Sequence, residues 1–329
     1  MSYKPMVSVV IPTYNRAQPT INAIQSVLNQ TYLRYEVIVI DDGSTDGSGD
    51  AVRQFIQQRN GGGNSVFWVQ QENQGPSAAR NEGIRRAQGE LIAFLDSDDT
   101  WHSEKLEWQV KAFDVLGYDC GACCTDVRLA DGAGMDSSTF SRFGRHYEKT
   151  IGIERNAVQL LAKSFCGFWI SSLLARADTI RQIRGFNTEI GFAEDRDFYF
   201  RLCLATGLCY VNKLLVICDR NKTPAGSDCR PWDKVEVRLE GLRCMYESWL
   251  DNEGALPAAA RKTIVGELRA NHADWANWHL DNRRYDDARR EVSKAIRCGV
   301  TPKMAAKLAL TWLAPEFARK LSGRPAAYL

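Results

Sequence analysis

Three aspartates crowd four consecutive positions at Asp96-Ser97-Asp98-Asp99. Like charges that close repel, and each carboxyl would hold its proton more tightly than usual unless a cation sits among them. A hard divalent cation takes oxygen ligands and removes that cost. Mg2+ or Mn2+ held by one or two carboxylates usually completes its shell with substrate phosphates, which points to a nucleotide diphosphate. The competing structural reading is a capped turn, with Asp98 or Asp99 as the N-cap of a helix from Ser103 to Leu116.

Three further constellations carry polar chemistry. Asp41-Asp42-Gly-Ser-Thr-Asp-Gly47 reads as a turn, but a carboxylate there can also accept from a base N–H or a ribose hydroxyl, and its glycines let a ligand approach the backbone. Asn73-Gln-Gly-Pro-Ser-Ala-Ala-Arg80 places Ser77 as an N-cap and Arg80 one turn into a helix, where it can neutralise phosphate, stack on a base or form a surface salt bridge. Gly191-Phe-Ala-Glu194-Asp195-Arg-Asp197 opens another helix. Asp197 and Arg201, four apart, suit an ordinary ion pair. Glu194 and Asp195 suit either the helix dipole or a general base for a hydroxyl acceptor.

The elements around these residues alternate as βαβ units do over the first ~120 residues. Val7–Ile11, Glu36–Ile40, Val66–Val69 and Leu91–Leu95 read as strands, and Val7–Ile11 is β-branched throughout, as in a strand buried on both faces. Ile21, Ile24, Val27 and Leu28 recur at helical spacing, and Ala51–Gln58 and Ser77–Ala87 read as helices, with Asn60–Ser65 a connector. Asp41-Asp42, Asp96–Asp99 and the polar turn Pro12-Thr-Tyr-Asn-Arg16 all follow strands directly. In parallel α/β sheets ligands bind outside the carboxyl ends of the strands, so these groups converge on one edge. Arg128–Gly152 reads as a loop or mobile flap, Phe168–Ala175 as strand-like, Glu194–Cys203 as a helix and Leu208–Ile217 as a strand.

Several classes fall away. The 329 residues carry 42 Lys+Arg against 40 Asp+Glu, so no global basicity argues for nucleic acid. No stretch approaches the ~20 apolar residues of a spanning helix, and the N-terminus lacks a signal-peptide core, so a reducing cytoplasm with thiol cysteines is expected. Cys120-x2-Cys123 has no second pair, and the four histidines (His102, His146, His272, His279) are dispersed. No G-x-G-x-x-G follows Val7–Ile11 and no G-x-x-x-x-G-K-[ST] occurs, which removes the main support for hydride transfer and P-loop chemistry.

In order along the chain, Val7-Ser-Val-Val-Ile-Pro-Thr-Tyr-Asn-Arg16, Asp41-Asp-Gly-Ser-Thr-Asp46, Asn73-Gln-Gly-Pro-Ser-Ala-Ala-Arg-Asn-Glu-Gly83, Phe94-Leu-Asp-Ser-Asp-Asp99 and Glu194-Asp195 resemble the motifs of family 2 glycosyltransferases of the GT-A fold, the inverting enzymes of bacterial polysaccharide and cell-envelope synthesis. The resemblance covers roughly residues 5–220. It implies an α/β fold: a GT-A nucleotide-sugar domain with a mostly parallel central sheet flanked by helices. Pro12, Thr13, Tyr14 and Arg16 would line the nucleotide pocket, with Asp42. Asp41 would read the base, commonly uracil, with Arg80 nearby. Asp98 would face the ribose, the sugar and the metal, Asp99 would hold Mn2+ or Mg2+, and Asp96 would complete a DXD motif. Asp195, beside Glu194, would be the catalytic base. Family members often carry His-x-x-Ser after the last strand. Here Cys218-Asp-Arg-Asn-Lys-Thr-Pro-Ala-Gly-Ser227 has no His, so Arg220 or Lys222 is expected to stabilise the diphosphate. Trp169 is either a buried aromatic or a platform for a sugar.

The expected organisation is a GT-A domain over 1–230, split into a nucleotide half (1–120) and an acceptor half (121–230), and a helical region over 231–329. Candidate helices there are Val235–Leu250, Ala258–Leu280, Tyr285–Ile296 and Pro302–Leu313, and residues 275–296 resemble one tetratricopeptide-like helix pair. The tail Trp312–Leu329 sets Arg319, Lys320 and Arg324 beside Trp312, Leu313, Phe317 and Leu321. That is the make-up of a peripheral contact with the inner face of the cytoplasmic membrane, or of a docked terminal helix. The expected partners are a nucleotide-diphosphate sugar, most simply a UDP-sugar, and a glycan or lipid-linked acceptor, without nucleic acid. The alternative is a non-catalytic interaction protein of an envelope-glycan assembly complex. A nucleotidyltransferase ranks last, because Pro12–Arg16 offers no Gly-rich basic loop.

Overall fold

Every residue of β1 (Val7–Thr13) and β2 (Tyr35–Asp41) is buried. Continuous apolar runs of this kind satisfy a strand covered on both faces. The covering helices show the complementary pattern. α1 (Ala17–Leu28) buries Thr20, Ala23, Ile24 and Val27, one stripe at helical spacing. α2 (Ser48–Arg59), β3 (Val66–Gln70), α3 (Pro76–Arg86) and β4 (Leu91–Phe94) complete the alternation. The computed structural model describes residues 4–59, 66–117, 120–130, 137–163, 167–219, 234–251, 256–299, 302–313 and 317–318.

Helix α3 starts one residue earlier than expected. Gly75, at φ 87°, precedes Pro76 in the first turn, and Ser77 lies buried inside the helix rather than capping it. Gly83 lets this helix lie against β1: a Cβ there would come within 2.2 Å of Val10 Cγ1.

The chain continues through β5 (Asp99–Trp101), α4 (Lys105–Leu116), β6 (Ala122–Ala130), β7 (Ser137–Ser138), α5 (Thr139–Arg142), β8 (Ile151–Ile153), α6 (Ala157–Lys163), β9 (Leu174–Arg176), α7 (Ala177–Gln182), α8 (Glu194–Ala205) and β10 (Leu208–Asp219). The sheet runs β3-β2-β1-β4-β9-β6-β10-β5, with β7 beside β6 and β8 beside β10. The longer strands β1, β2, β3, β4, β6 and β10 point one way, and the short β5, β7, β8 and β9 run against them. The sheet is mostly parallel in strand direction, with antiparallel pieces threaded through its second half. The carboxyl ends of β1, β2, β4 and β10 thus share one edge.

Two expectations for the middle of the chain are corrected. Within Arg128–Gly152 the described residues include the end of β6, then β7 and α5, not only loop. The buried Asp126 carboxylate organises them: it accepts from Ser138 Oγ (2.5 Å), Thr139 Oγ1 (3.0 Å), and the Val127 and Phe140 backbone N–H groups (2.8 and 2.9 Å). Phe168–Ala175 is not one strand. It is a 3-10 turn, Ile170–Ser172, leading into β9.

After residue 233 the described chain is helical: α9 (Val235–Asp251), α10 (Ala258–Asp281), α11 (Tyr285–Arg297) and α12 (Pro302–Leu313). The chain divides into two compact units, one of Met1–Leu161, Phe165–Thr188 and Asp195–Gly226, the other of Ala162–Ser164, Glu189–Glu194 and Ser227–Leu329. The second unit buries Trp249 and pairs His272 Nδ1 with Glu291 Oε2 at 2.7 Å. Among the described residues no helix is long and apolar enough to cross a membrane, and the eight cysteines are free thiols.

Candidate active site

The parallel register sets Thr13 beside Asp41, so the first two strands deliver their last side chains to the same edge. The Thr13 hydroxyl lies 2.6 Å from that of Thr20. Tyr14 is 43% exposed. Asn15 takes a left-handed φ of 51° and ties the two strand-end loops together. Its N–H donates to Ser44 Oγ (2.9 Å), and its Oδ1 accepts from the Thr45 N–H (2.8 Å).

Asp41 and Asp42 turn out to do different work. Asp41 is fully buried: Oδ1 accepts from the Ser44 N–H (3.0 Å) and hydroxyl (2.5 Å), whereas Oδ2 has no hydrogen-bond partner. A buried carboxylate oxygen left this way is an acceptor awaiting a donor. Asp42 is saturated. It accepts from Gln71 Nε2 (2.8 Å) and from the Gln74 and Gly75 N–H groups (3.0 and 2.8 Å), and so pins the loop into α3.

The acidic turn lies at the end of β4. Val10 pairs with Phe94, and the chain leaves the sheet just beyond. Asp96 Oδ1 takes a charged hydrogen bond from Arg80 NH2 at 2.8 Å, and Asp98 Oδ2 takes one from Arg16 NH1 at 2.6 Å. Four of the candidate site residues thus form two ion pairs. Asp99 is not a helix cap. It opens β5, runs antiparallel to β10 opposite Cys218, and is buried; α4 begins only at Lys105 and has no side-chain cap. Burial first, then the Asp96 and Asp98 carboxylates, push the Asp99 pKa well above the ordinary carboxylate value, against hydrogen bonds from Ser171 and Cys218. Among the described residues no three His, Cys, Asp or Glu groups stand ready to hold a metal ion. Any cation here would take part of its shell from a ligand.

Ser171 is the residue that sequence reasoning missed. Its Oγ donates to Asp99 Oδ2 (2.5 Å) and accepts from the Asp96 N–H (3.0 Å). Its carbonyl accepts from Trp101 Nε1 (2.9 Å), and Gln109 Nε2 holds the neighbouring Ser172 carbonyl at 2.9 Å. Ser171 lies within Phe168–Ala175, which reads in the sequence only as strand-like and carries no motif. Trp169 is half-buried against the sheet core, and its carbonyl accepts from Tyr199 OH at 3.0 Å. Arg220 and Lys222 lie outside the described residues.

Helix α8 presents the third acid group. Ala193, just before it, has a φ of 64°, a conformation costly for a residue with a Cβ. Asp195 is half-buried, and its Oδ1 accepts from the Arg196 N–H at 2.7 Å. Asp197, fully buried, takes two bonds from Arg201 (2.7 and 2.9 Å), the ion pair its spacing suggests. An aromatic cluster locks the helix to the acidic turn. Phe198 stacks on Phe186 at 4.0 Å and meets Phe94 edge-on at 5.6 Å, while Arg80 lies over the Phe186 ring at 5.2 Å.

The sequence model of glycosyl transferase family 2 matches residues 8–177, more than half the chain and every group above up to the Ser171 turn. The chain belongs to this family. It is 40% identical over 126 residues to the putative teichuronic acid biosynthesis glycosyltransferase TuaG of Bacillus subtilis, covering 36% of this chain and 48% of that protein. It is 40% identical over 117 residues to the glycosyltransferase AglE of Haloferax volcanii, covering 35% and 38%. The match thus spans less than half the length of either relative. Among solved structures it resembles residues 1–349 of TarS from S. aureus in complex with UDP-GlcNAc, with a TM-score of 0.67, 19% identity, and 96% of this chain and 90% of that one covered. It also resembles the mannosyltransferase PcManGT of Pyrobaculum calidifontis in complex with GDP-Man and Mn2+, with a TM-score of 0.59, 21% identity and 98% and 85% covered. These likenesses show a GT-A-like fold for this family 2 chain.

Proposed function

We propose that the chain is an inverting glycosyltransferase that moves a sugar from a nucleotide diphosphate, most simply a UDP-sugar, to a hydroxyl of a glycan or lipid-linked glycan acceptor of the cell envelope. The observation that carries this reading is Asp99, a carboxylate at the ligand edge of the sheet beside two others, held above its ordinary pKa first by burial and then by them. A divalent cation completed by diphosphate oxygens is what stabilises such a group as an anion. UDP-GlcNAc and GDP-Man with Mn2+, in the titles of the two structural neighbours, support the donor class, and teichuronic acid in the relative's name supports the envelope setting.

Each residue has a role in this proposal. Asp41 Oδ2 accepts the base N–H in a pocket completed by Pro12, Thr13 and Tyr14. Asp99, with Asp98 swung from Arg16, holds Mn2+ or Mg2+. Arg80 places positive charge beside the leaving diphosphate, with Asp96 orienting it. When bound, the metal supplies charge stabilisation to that diphosphate. Asp195, set near the start of α8, takes the proton from the acceptor hydroxyl. The freed oxygen attacks the anomeric carbon from the face opposite the diphosphate, the bond to the diphosphate oxygen breaks, and the configuration inverts. Exposed Trp312, Leu313 and Phe317 support a peripheral membrane contact, to which Arg319, Lys320 and Arg324 would add charge.

Calorimetric titration with UDP, ADP, GDP and dTDP, each with and without Mn2+, tests the reading. Metal-strengthened binding of one diphosphate is the expected result. No binding by any of them to folded protein overturns it.

A further inference from the structure

Two adjoining cavities of about 420 and 440 Å³ lie on helix α9 in the second unit. They share the wall Glu236, Glu240 and Trp275, and each is of a size suited to a small ligand; together they are called the groove. The first half adds Arg243, Trp278 and Arg284. The Trp275 and Trp278 rings stand at 86° with centroids 5.5 Å apart, and His279 stacks on Trp275, so the more open indole of the groove is Trp278.

Two ring nitrogens of the lining, Trp275 Nε1 and His279 Nδ1, are buried without a hydrogen-bond partner, and Trp275 is only 9% exposed. A purely apolar occupant would leave both of them unsatisfied. The charges bound the ligand from both sides. Glu236, Glu240 and Glu291 outnumber Arg243 and Arg284 in the first cavity, which counts against a diphosphate or other anion, and Glu189 adds to this in the second. The two guanidiniums count against a cation, and both are engaged: Arg243 NH2 lies 2.5 Å from Glu240 Oε1, and Arg284 lies over Trp278 at 5.2 Å. What remains is a neutral ring with one apolar face and many hydroxyls, that is, a pyranose: its C–H face suits indole, and its hydroxyls donate to paired carboxylates.

The groove also takes in residues that precede Glu194 in the chain. Its second half is lined by Glu189 and Gly191, and α9 grips the next residue closely. A Cβ on Gly241 would come within 2.7 Å of Phe192 Cβ and 2.9 Å of its backbone N and O. The chain then passes through Ala193, in its left-handed conformation, to Glu194 and Asp195.

We infer that this groove is a glycan-binding site, distinct from the donor pocket, that holds a neutral pyranose unit of the acceptor chain away from the reacting hydroxyl. The ligand class stands on the chemistry of the groove; its membership of the acceptor rests on the proposed transfer reaction. Holding a distal unit raises the effective concentration of the acceptor end without adding a contact at the reacting carbon.

The test uses the full chain, saturation-transfer NMR and calorimetry, and four neutral tetrasaccharides: maltotetraose, cellotetraose, mannotetraose and fully N-acetylated chitotetraose. Each is titrated to millimolar concentration with and without saturating UDP and Mn2+. At least one is expected to bind saturably with the same affinity in both conditions. Glu240→Gln, nearly isosteric, and Trp278→Ala, checked for folding by circular dichroism, are each expected to weaken that binding about ten-fold. No binding by any probe, displacement by UDP, or indifference to both substitutions overturns the inference. UDP binding without glycan binding would sink the groove alone, and glycan binding without UDP binding would sink the donor reading alone.

Discussion

The Ser171 hydroxyl donates to Asp99 Oδ2 at 2.5 Å and, with Cys218, orients the most buried carboxylate of the acidic turn. The same oxygen accepts the Asp96 N–H, so one side chain fixes both ends of Asp96–Asp99. Supports of this kind typically change metal affinity or activity 10–100-fold when removed. Ser171→Ala is therefore expected to weaken Mn2+-dependent UDP binding by about ten-fold or more while leaving metal-free UDP binding nearly unchanged. Ser171→Thr, which keeps the hydroxyl, should recover most of it. Calorimetry on the three proteins decides. Equal metal dependence in all three would show that the bond only shapes the fold.

The acids at the entrance of α8 divide by burial, and so should their phenotypes. Asp195→Asn is expected to lower turnover by roughly 10²–10⁴-fold with UDP affinity intact, the range for loss of a general base. Asp197→Asn leaves Arg201 facing a neutral partner in a buried setting, and should cost about 3 kcal/mol in urea unfolding. Near wild-type turnover in Asp195→Asn would remove the base assignment.

The sheet and its edge were largely legible in the sequence. Val7–Ile11 and Glu36–Ile40 are continuous apolar runs because helices cover both faces, and Asp41 and Asp96 end such runs abruptly. Local patterns could not show pairing across distance. Ser171 reaches Asp99 across 72 residues, and Arg16 reaches Asp98 across 82. β5 is three residues long, too short for any period, so the sequence leaves open a helix cap at Asp98 or Asp99, whereas Asp99 in fact opens a strand. Adjacent identical residues are no easier: nothing in Asp41-Asp42 tells which carboxylate keeps an oxygen without a partner.

That difference gives a paired test. Asp41→Asn converts or misplaces an unmet acceptor, so UDP affinity should fall about ten-fold with little change in stability. Asp42→Ala removes the acceptor of three hydrogen bonds and should destabilise the fold by about 2–3 kcal/mol. Urea unfolding alongside UDP titration separates them. A reversal of the two phenotypes would reassign the base contact to Asp42.

Close approach of α3 to β1 positions Arg80, and Gly83 permits it. An alanine Cβ would sit 2.2 Å from Val10 Cγ1. Overpacking of this kind costs about 1–3 kcal/mol, only partly offset by the ~1 kcal/mol gain in helix propensity. Gly83→Ala should lower the unfolding free energy, and adding Val10→Ala should cost less in that background than in the wild type. Additive effects in the four-protein cycle would show that the helix simply shifts away.

Lys105 makes a prediction about pH. It is fully buried, donates to Gln109 Oε1 at 2.7 Å and lies 3.9 Å from the centroid of the Trp101 ring. Burial lowers its pKa to about 7, whereas the unfolded chain titrates near the ordinary 10.5. Between those values the unfolded state carries a proton that the folded state lacks, so stability from this group increases as pH rises. Stability is expected to climb from about pH 7 toward about pH 8.5, below the range where the Cys124 thiol, pushed up by burial, begins to oppose it. Lys105→Met should flatten that rise. A urea series on both proteins across the window reads the slope directly. Identical slopes would mean that Lys105 keeps its proton on folding and that Trp101 and Gln109 hold a cation in the core.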